Sequence, residues 1–117
     1  MTEEHGELDA RAKRIGLNEA VFREFNERIE EVAQTFDLHD LDLVCECGSV
    51  DCTERISMSI VEYEQLRSEP HHFAVVPGHE TPDVETVVAT KGAYDVVAKD
   101  EGVPAALAEE TDPRSSD

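Results

Sequence analysis

Three cysteines lie within eight residues, at Cys45, Cys47 and Cys52, and the rest of the 117-residue chain has none. Three thiolates so close together are typical of a tetrahedral zinc site, which takes four sulfur or nitrogen ligands from short loops. A disulfide between two of the three would leave one thiol over. The stretch therefore predicts a metal-binding loop that needs one more ligand from elsewhere in the chain.

The spacing inside the stretch supports this interpretation. Residues two apart in an extended strand point to the same face, so Cys45 and Cys47 can both face one point. Their Cα atoms would then be about 6.5–7 Å apart, which is too far for an easy disulfide. Gly48 permits a sharp turn, and Asp51 favours a turn that returns Cys52 to the same point.

One of the five histidines would complete the site. His79 is favoured because it follows Pro77 and Gly78, a rigid turn at the end of a predicted strand. His72 and then His71, at the start of that strand, remain alternatives. The predicted site binds Zn²⁺, and no catalytic or other cofactor-binding residue is predicted. Its ligand set is Cys45, Cys47, Cys52 and His79.

The charge balance narrows the range of partners. The chain carries 28 Asp and Glu against 10 Lys and Arg, a formal net charge of −18. Nucleic acids are bound through clustered Lys and Arg, so no nucleic-acid partner is expected. An acidic surface suits solubility, a high-salt cytoplasm or a basic protein partner, whose identity the sequence does not indicate.

No membrane association is expected either, because no apolar run approaches the roughly 20 residues of a membrane span. The first residues are acidic where a secretory signal would be basic. We therefore expect a cytoplasmic protein whose thiols stay reduced.

The predicted fold is α+β, with a long N-terminal helix packed on a small, mostly antiparallel sheet and a cysteine loop that staples the two. A single metal-binding domain would cover residues 18–110, after a flexible acidic arm (1–17) and before a disordered tail (111–117). Asn18 is the predicted N-cap of a helix over residues 19–36. Its apolar residues recur at spacings of three and four, so we expect them to pack on the core. They are Phe22, Phe25, Ile29, Val32 and Phe36.

Shorter elements follow. Alternating or β-branched patterns predict strands at residues 41–45, 54–58, 72–76, 84–90 and 94–99. Ser59 and Glu62 have the spacing of a capping box, which predicts a short helix that ends before Pro70. Gly92 would supply the turn of a hairpin between the last two strands, and residues 103–110 a weak helical turn.

The cysteine motif also carries a resemblance. The Cys-x-Cys-x(4)-Cys stretch, with Phe73 to Glu80 and the terminal Glu109 to Arg114, resembles a family of small, uncharacterised, acidic proteins of high-GC Gram-positive bacteria. The similarity covers about residues 19–114. The resemblance implies no activity. It implies that the cysteine loop and the Pro-Gly-His segment belong to one module.

These patterns favour a structural Cys₃His zinc site in an interaction or regulatory module. In such a module the long helix could face a partner instead of its own core. The alternative is a thiol-based redox sensor, in which oxidation of the cysteine loop releases the metal. Its acidic neighbours oppose this because they raise thiol pKa values.

An enzyme is not indicated. The chain has no deaminase, HExxH, phosphate-loop or nucleophile-elbow motif. The catalytic candidates would be Glu46 as base to a zinc-bound water, or a nucleophile pair of Cys52 and His79.

Overall fold

The structure, a computed structural model, describes the backbone of residues 2–114, with side chains from residue 9 onward. A long N-terminal helix and small antiparallel sheets confirm the predicted α+β class. The elements in chain order are α1 (Thr2–Thr35), β1 (Asp40–Val44), β2 (Arg55–Ser59), α2 (Ile60–Arg67), β3 (His72–Val75), β4 (Glu85–Thr90), β5 (Asp95–Lys99) and α3 (Val103–Glu110).

The strands form two antiparallel sheets instead of one. β1 pairs with β2, and β5 lies between β3 and β4. In the first sheet Leu41 pairs with Met58 and Leu43 with Ile56, and the alternating pattern turns all four side chains inward. The cysteine segment joins the sheets, since the Glu46 amide donates to the Ala74 carbonyl at 2.9 Å.

One hydrophobic cluster connects both sheets with the helices. It contains residues of the three helices and of β1, β2, β3 and β5, and Val87 and Ala89 of β4 pack against it, which gives the domain a shared core. Its largest apolar members are Leu41, Leu43, Ile56, Met58, Tyr63, Leu66, Phe73, Val75, Tyr94, Val96 and Val97.

The local signals for the shorter elements are confirmed. Ser59 and Glu62 form both hydrogen bonds of the capping box, and α2 ends at Arg67, before Pro70. Gly92 takes a φ of 85° in the turn between β4 and β5. Each of these features depends on residues that are neighbours in sequence, so the local sequence pattern was enough to predict it.

Helix α1 begins much earlier than the sequence indicates. It is helical from Thr2, across the segment assigned to a flexible arm. Asn18 is inside the helix and its Nδ2 donates to the Gly48 carbonyl at 2.9 Å, so its prediction as an N-cap is wrong. Gly16 allows α3 to approach, because a Cβ there would clash with the side chain of Leu107.

The buried face of α1 is not its apolar face. Phe25, Val32 and Phe36 are 58%, 57% and 70% exposed, so the expectation that they pack on the core is wrong. Phe22 and Ile29 are half-buried. The face turned inward repeats at the same spacing but carries small and polar side chains, which are Ala12, Glu19, Arg23, Asn26, Glu30 and Ala33.

Ion pairs explain how that polar face is buried. Lys99 forms an ion pair with Glu85 at 2.7 Å and also contacts Glu19, and all three side chains are at least 98% buried. Charges removed from water remain stable only when they are paired and hydrogen-bonded. Long-range partners, not apolar contacts, therefore fix how α1 sits on the sheets.

The predicted tail is packed as far as the structure describes it. Asp112 pairs with Arg67, and Arg114 lies 2.6 Å from Glu27, 2.9 Å from Glu30 and 2.6 Å from Glu64. Residues 115–117 of that tail lie outside the described residues.

None of the helices in the described part of the chain has both the length and the apolar character needed to cross a membrane.

Candidate metal centre

The four predicted ligands meet at one point. The Sγ atoms of Cys45, Cys47 and Cys52 and a ring nitrogen of His79 all lie within 4.8 Å of one another. Cys45 Sγ and Cys52 Sγ are each 3.7 Å from His79 Nδ1. Two ligands at the corners of a tetrahedron, with bonds of about 2.3 Å to sulfur and 2.0–2.1 Å to nitrogen, are about 3.6 Å apart. The cluster could therefore hold a metal ion with little movement.

Backbone contacts position each thiol. The Cys45 amide donates to the Glu54 carbonyl at 3.1 Å, and the Cys52 amide donates to the Ser49 carbonyl at 3.1 Å. The Val76 amide donates to Cys45 Sγ at 3.2 Å, a contact that favours a thiolate at this position. The loop is thus held before any ion arrives.

Two glycines shape the chain around the site. Gly48 has a φ of 79°, and a Cβ there would lie 2.9 Å from Ile15 Cγ2 on α1. Gly78 has a φ of 91°, in a turn closed by the bond from the His79 amide to the Val76 carbonyl at 2.9 Å. The first glycine lets the cysteine loop lie against α1, and the second aims His79 at the thiols.

Exposure differs between the ligands. Cys45 and Cys47 are buried, whereas Cys52 and His79 are half-buried. Cys47, Cys52 and His79 line an open groove of about 480 Å³. Asp51, Glu54 and Glu80 also line this groove. Their carboxylates make the entrance attractive to cations.

Glu46, between two of the ligands, has a different role from those the sequence suggested. It is fully buried and turned away from its neighbouring cysteines towards α1, where Arg23 Nη2 lies 2.7 Å from its Oε1. Asn26 Nδ2 donates to Oε2 at 2.9 Å, and the Ala74 amide donates to Oε1 at 3.0 Å. With its oxygens occupied in this way, Glu46 is not placed to act as a base at the metal centre.

Arg23 was not identified from the sequence, although it anchors the site. Besides Glu46 it donates to the His72 carbonyl at 2.6 Å, and its guanidinium carbon lies 3.7 Å from the centre of the Phe73 ring. Asn26 forms two bonds with the Val44 backbone, at 2.8 Å and 3.0 Å. Arg23 and Asn26 are a turn apart on α1, and only their regular polar spacing could have indicated a buried role.

The thiols influence each other's ionisation. A hydrogen bond with Cys45 lowers the pKa of Cys47, and the same bond raises the pKa of Cys45. Burial is the main cause of the raised pKa of Cys52. Three thiolates in one place repel each other, so a cation is needed before all three can ionise together.

The other histidines are placed elsewhere. His71 Nε2 lies 3.0 Å from Glu109 at the surface, and His72 lines a separate cavity with Leu66 and Tyr94. Of the three alternatives for the fourth ligand, only His79 lies with the cysteines. The side chain of His5 lies outside the described residues.

Comparison of the chain with protein-family models, curated proteins and solved structures gave no significant match. The resemblance drawn from the cysteine motif therefore stays a prediction, and the geometry of the site is what bears on function.

Proposed function

We propose that the protein is a small zinc-binding domain, in which Cys45, Cys47, Cys52 and His79 hold Zn²⁺ as a structural staple. The observation that carries this proposal is the meeting of four ligand atoms within 4.8 Å. Thiolate and imidazole ligands in a tetrahedral arrangement are those that zinc prefers.

The number of ligands supports a structural role. Catalytic zinc sites keep one position open for water or substrate, whereas structural sites are closed by four protein ligands. The ligands also come from different parts of the fold, because Cys45 and Cys47 follow β1, Cys52 precedes β2 and His79 follows β3. One ion would therefore fasten the two sheets together, as a small domain with a modest core requires.

We further propose that the domain acts as an interaction or regulatory module with a protein partner, in the cytoplasm, where thiols stay reduced and free for metal. The outer apolar face of α1 supports this, since Phe25, Val32 and Phe36 are more than half exposed. The net charge of −18 supports a protein surface rather than nucleic acid as the ligand.

Elemental analysis of untagged protein, purified without chelator, tests the metal proposal. We expect about one zinc per chain, and a cobalt-substituted form with the visible spectrum of a tetrahedral thiolate site. Chelation should lower the thermal midpoint, because binding energy at such a site is folding energy. Metal-free protein with three freely titrating thiols would contradict the proposal.

A matched pair of variants tests the ligand set. His79→Gln should weaken zinc binding at least tenfold, because it removes the single imidazole ligand. His71→Gln makes the same chemical change on the surface, beside Glu109, and should leave zinc binding unchanged. Equal affinity in the two variants would exclude His79 as a ligand.

A further inference from the structure

The outer face of α1 carries an apolar row that has no role in the metal centre. The apolar side chains of this row, which is defined below, are each 54% to 70% exposed. Beside it lies a groove of about 540 Å³, lined in part by Ile29 and Leu38. Monomeric proteins rarely expose a long, contiguous apolar strip, so the row marks a contact surface. We define the outer row as Leu17, Val21, Phe25, Arg28, Val32 and Phe36.

The spacing of the outer row is the same in both directions along the helix. The steps between its successive members are 4, 4, 3, 4 and 4 residues. In a helix of 3.6 residues per turn, these steps keep the members within α1 on one face. Phe36 follows the last residue of α1, and its amide still donates to the Val32 carbonyl at 3.1 Å, so it continues the row. The row is about 28 Å long at 1.5 Å per residue.

A palindromic row of this kind can pair with itself. If a second copy of α1 lies antiparallel, with a two-fold axis level with the peptide bond between Asn26 and Glu27, the row matches member for member. Leu17 then faces Phe36, and Val21 faces Val32. The interface of a two-fold dimer must be self-complementary in just this sense.

The centre of such a pair is complementary as well. Phe25 of one copy faces Arg28 of the other, and the two-fold symmetry repeats this contact on the other side of the axis. A guanidinium over an aromatic ring is a favourable contact, and it gives the one charged member of the row a partner. Arg28 therefore does not interrupt the apolar interface.

The ends of the row carry opposite charges. Lys13 and Arg14 are exposed just before Leu17, and Asp37 and Asp40 are exposed just after Phe36. An antiparallel arrangement brings the basic end of one helix beside the acidic end of the other. Complementary charge fixes orientation and register at an interface.

We propose that the outer row binds a second copy of this chain, in an antiparallel two-fold dimer through α1. The inference rests on the interaction role proposed above and names its partner. The metal centre is not part of the interface, because Arg23 and Asn26, which hold the cysteine strand, lie on the buried face of α1.

Sedimentation equilibrium of the zinc-loaded full chain over a range of concentrations tests the proposal. The mass should rise from that of one 13.0 kDa chain to twice that value. Val32→Asp should raise the dimer dissociation constant at least tenfold. Val88→Asp places the same charge at a valine that is 50% exposed on β4, and should leave the constant unchanged.

A charge swap tests the antiparallel register. Arg14→Glu should weaken the dimer at least threefold, and adding Asp40→Lys should restore it. A dimer that is indifferent to Arg14→Glu, or that the second change does not restore, would overturn this register.

Circular dichroism and zinc content, measured on every variant, separate the two proposals. A folded, zinc-loaded monomer at all concentrations would overturn the dimer and leave the metal proposal standing. A dimer that contains no zinc would overturn the metal proposal and leave the dimer proposal standing.

Discussion

Replacing Arg23 with methionine should strongly destabilise the fold, although Arg23 touches none of the four ligands. Methionine keeps the unbranched stem of the side chain but lacks the guanidinium and cannot donate a hydrogen bond. Glu46 would be left with no exposed surface and without its ion-pair partner. Because Glu46 lies between Cys45 and Cys47, the loss should also loosen the cysteine strand.

The contacts between Arg23 and Glu46 determine how much stability the substitution should remove. Two of the four hydrogen bonds to Glu46 come from Arg23, at 2.7 Å and 3.3 Å. Hydrogen bonds to charged groups contribute about 1.5–3 kcal/mol each, so the two bonds contribute about 3–6 kcal/mol. Removing one partner of a buried ion pair costs about 3–5 kcal/mol. We therefore expect a loss of about 3–5 kcal/mol, a large part of the roughly 5–15 kcal/mol that such a domain has.

The assay is urea unfolding at saturating zinc, followed by circular dichroism, for the wild type, Arg23→Met, Glu46→Gln and the double variant. The charge of Glu46 is the cause of the expected loss, so Glu46→Gln should relieve part of it. We expect a coupling free energy of about 2 kcal/mol or more between the two sites. Additive effects, within about 0.5 kcal/mol, would refute the reasoning.

Three further outcomes are expected. Gly48→Ala should lower the free energy of unfolding by about 1–3 kcal/mol through backbone strain, and further through a clash with Ile15. Gly92 has a similar φ but open space around it, so Gly92→Ala should cost less. Equal losses of the two variants in urea unfolding would contradict this. Burial raises the pKa of Glu19 to about 8, so between about pH 4.5 and 8 the folded state holds a proton that the unfolded state has lost. The free energy of unfolding therefore falls as pH rises through that window, and Glu19→Gln should flatten the fall in a pH series of thermal melts. Ser59→Ala removes the capping box of α2 and should cost about 1 kcal/mol, whereas an unchanged urea midpoint would show that the cap is dispensable.

Local patterns predicted the features that neighbouring residues determine. The alternation of Leu41 and Leu43 placed β1, because side chains of a strand with one buried face must alternate. The capping box at Ser59 placed the start of α2 in the same way. The cysteine cluster was visible because its three thiols lie within one short segment of chain.

The orientation of α1 could not be obtained from local patterns. Hydrophobic periodicity assumes that the apolar face meets the core, and here the buried face carries Glu19, Arg23, Asn26 and Glu30. Their burial depends on partners such as Lys99 and Arg114, which are 80 and 84 residues away from Glu19 and Glu30 in sequence. From the sequence alone, a charged helix residue is expected to face solvent unless its ion-pair partner is known.

The alternating orientation of Cys45, Glu46 and Cys47 just after β1 has a consequence for insertions and deletions in this segment. One residue added between the two cysteines would turn them to opposite faces and carry the carboxylate of Glu46 towards the metal. Beyond Gly48 the chain passes through Ser49, Val50 and Asp51, which are exposed, and a surface turn accommodates changes of length more easily. Insertions and deletions should therefore be tolerated between Gly48 and Cys52 but not between Cys45 and Cys47.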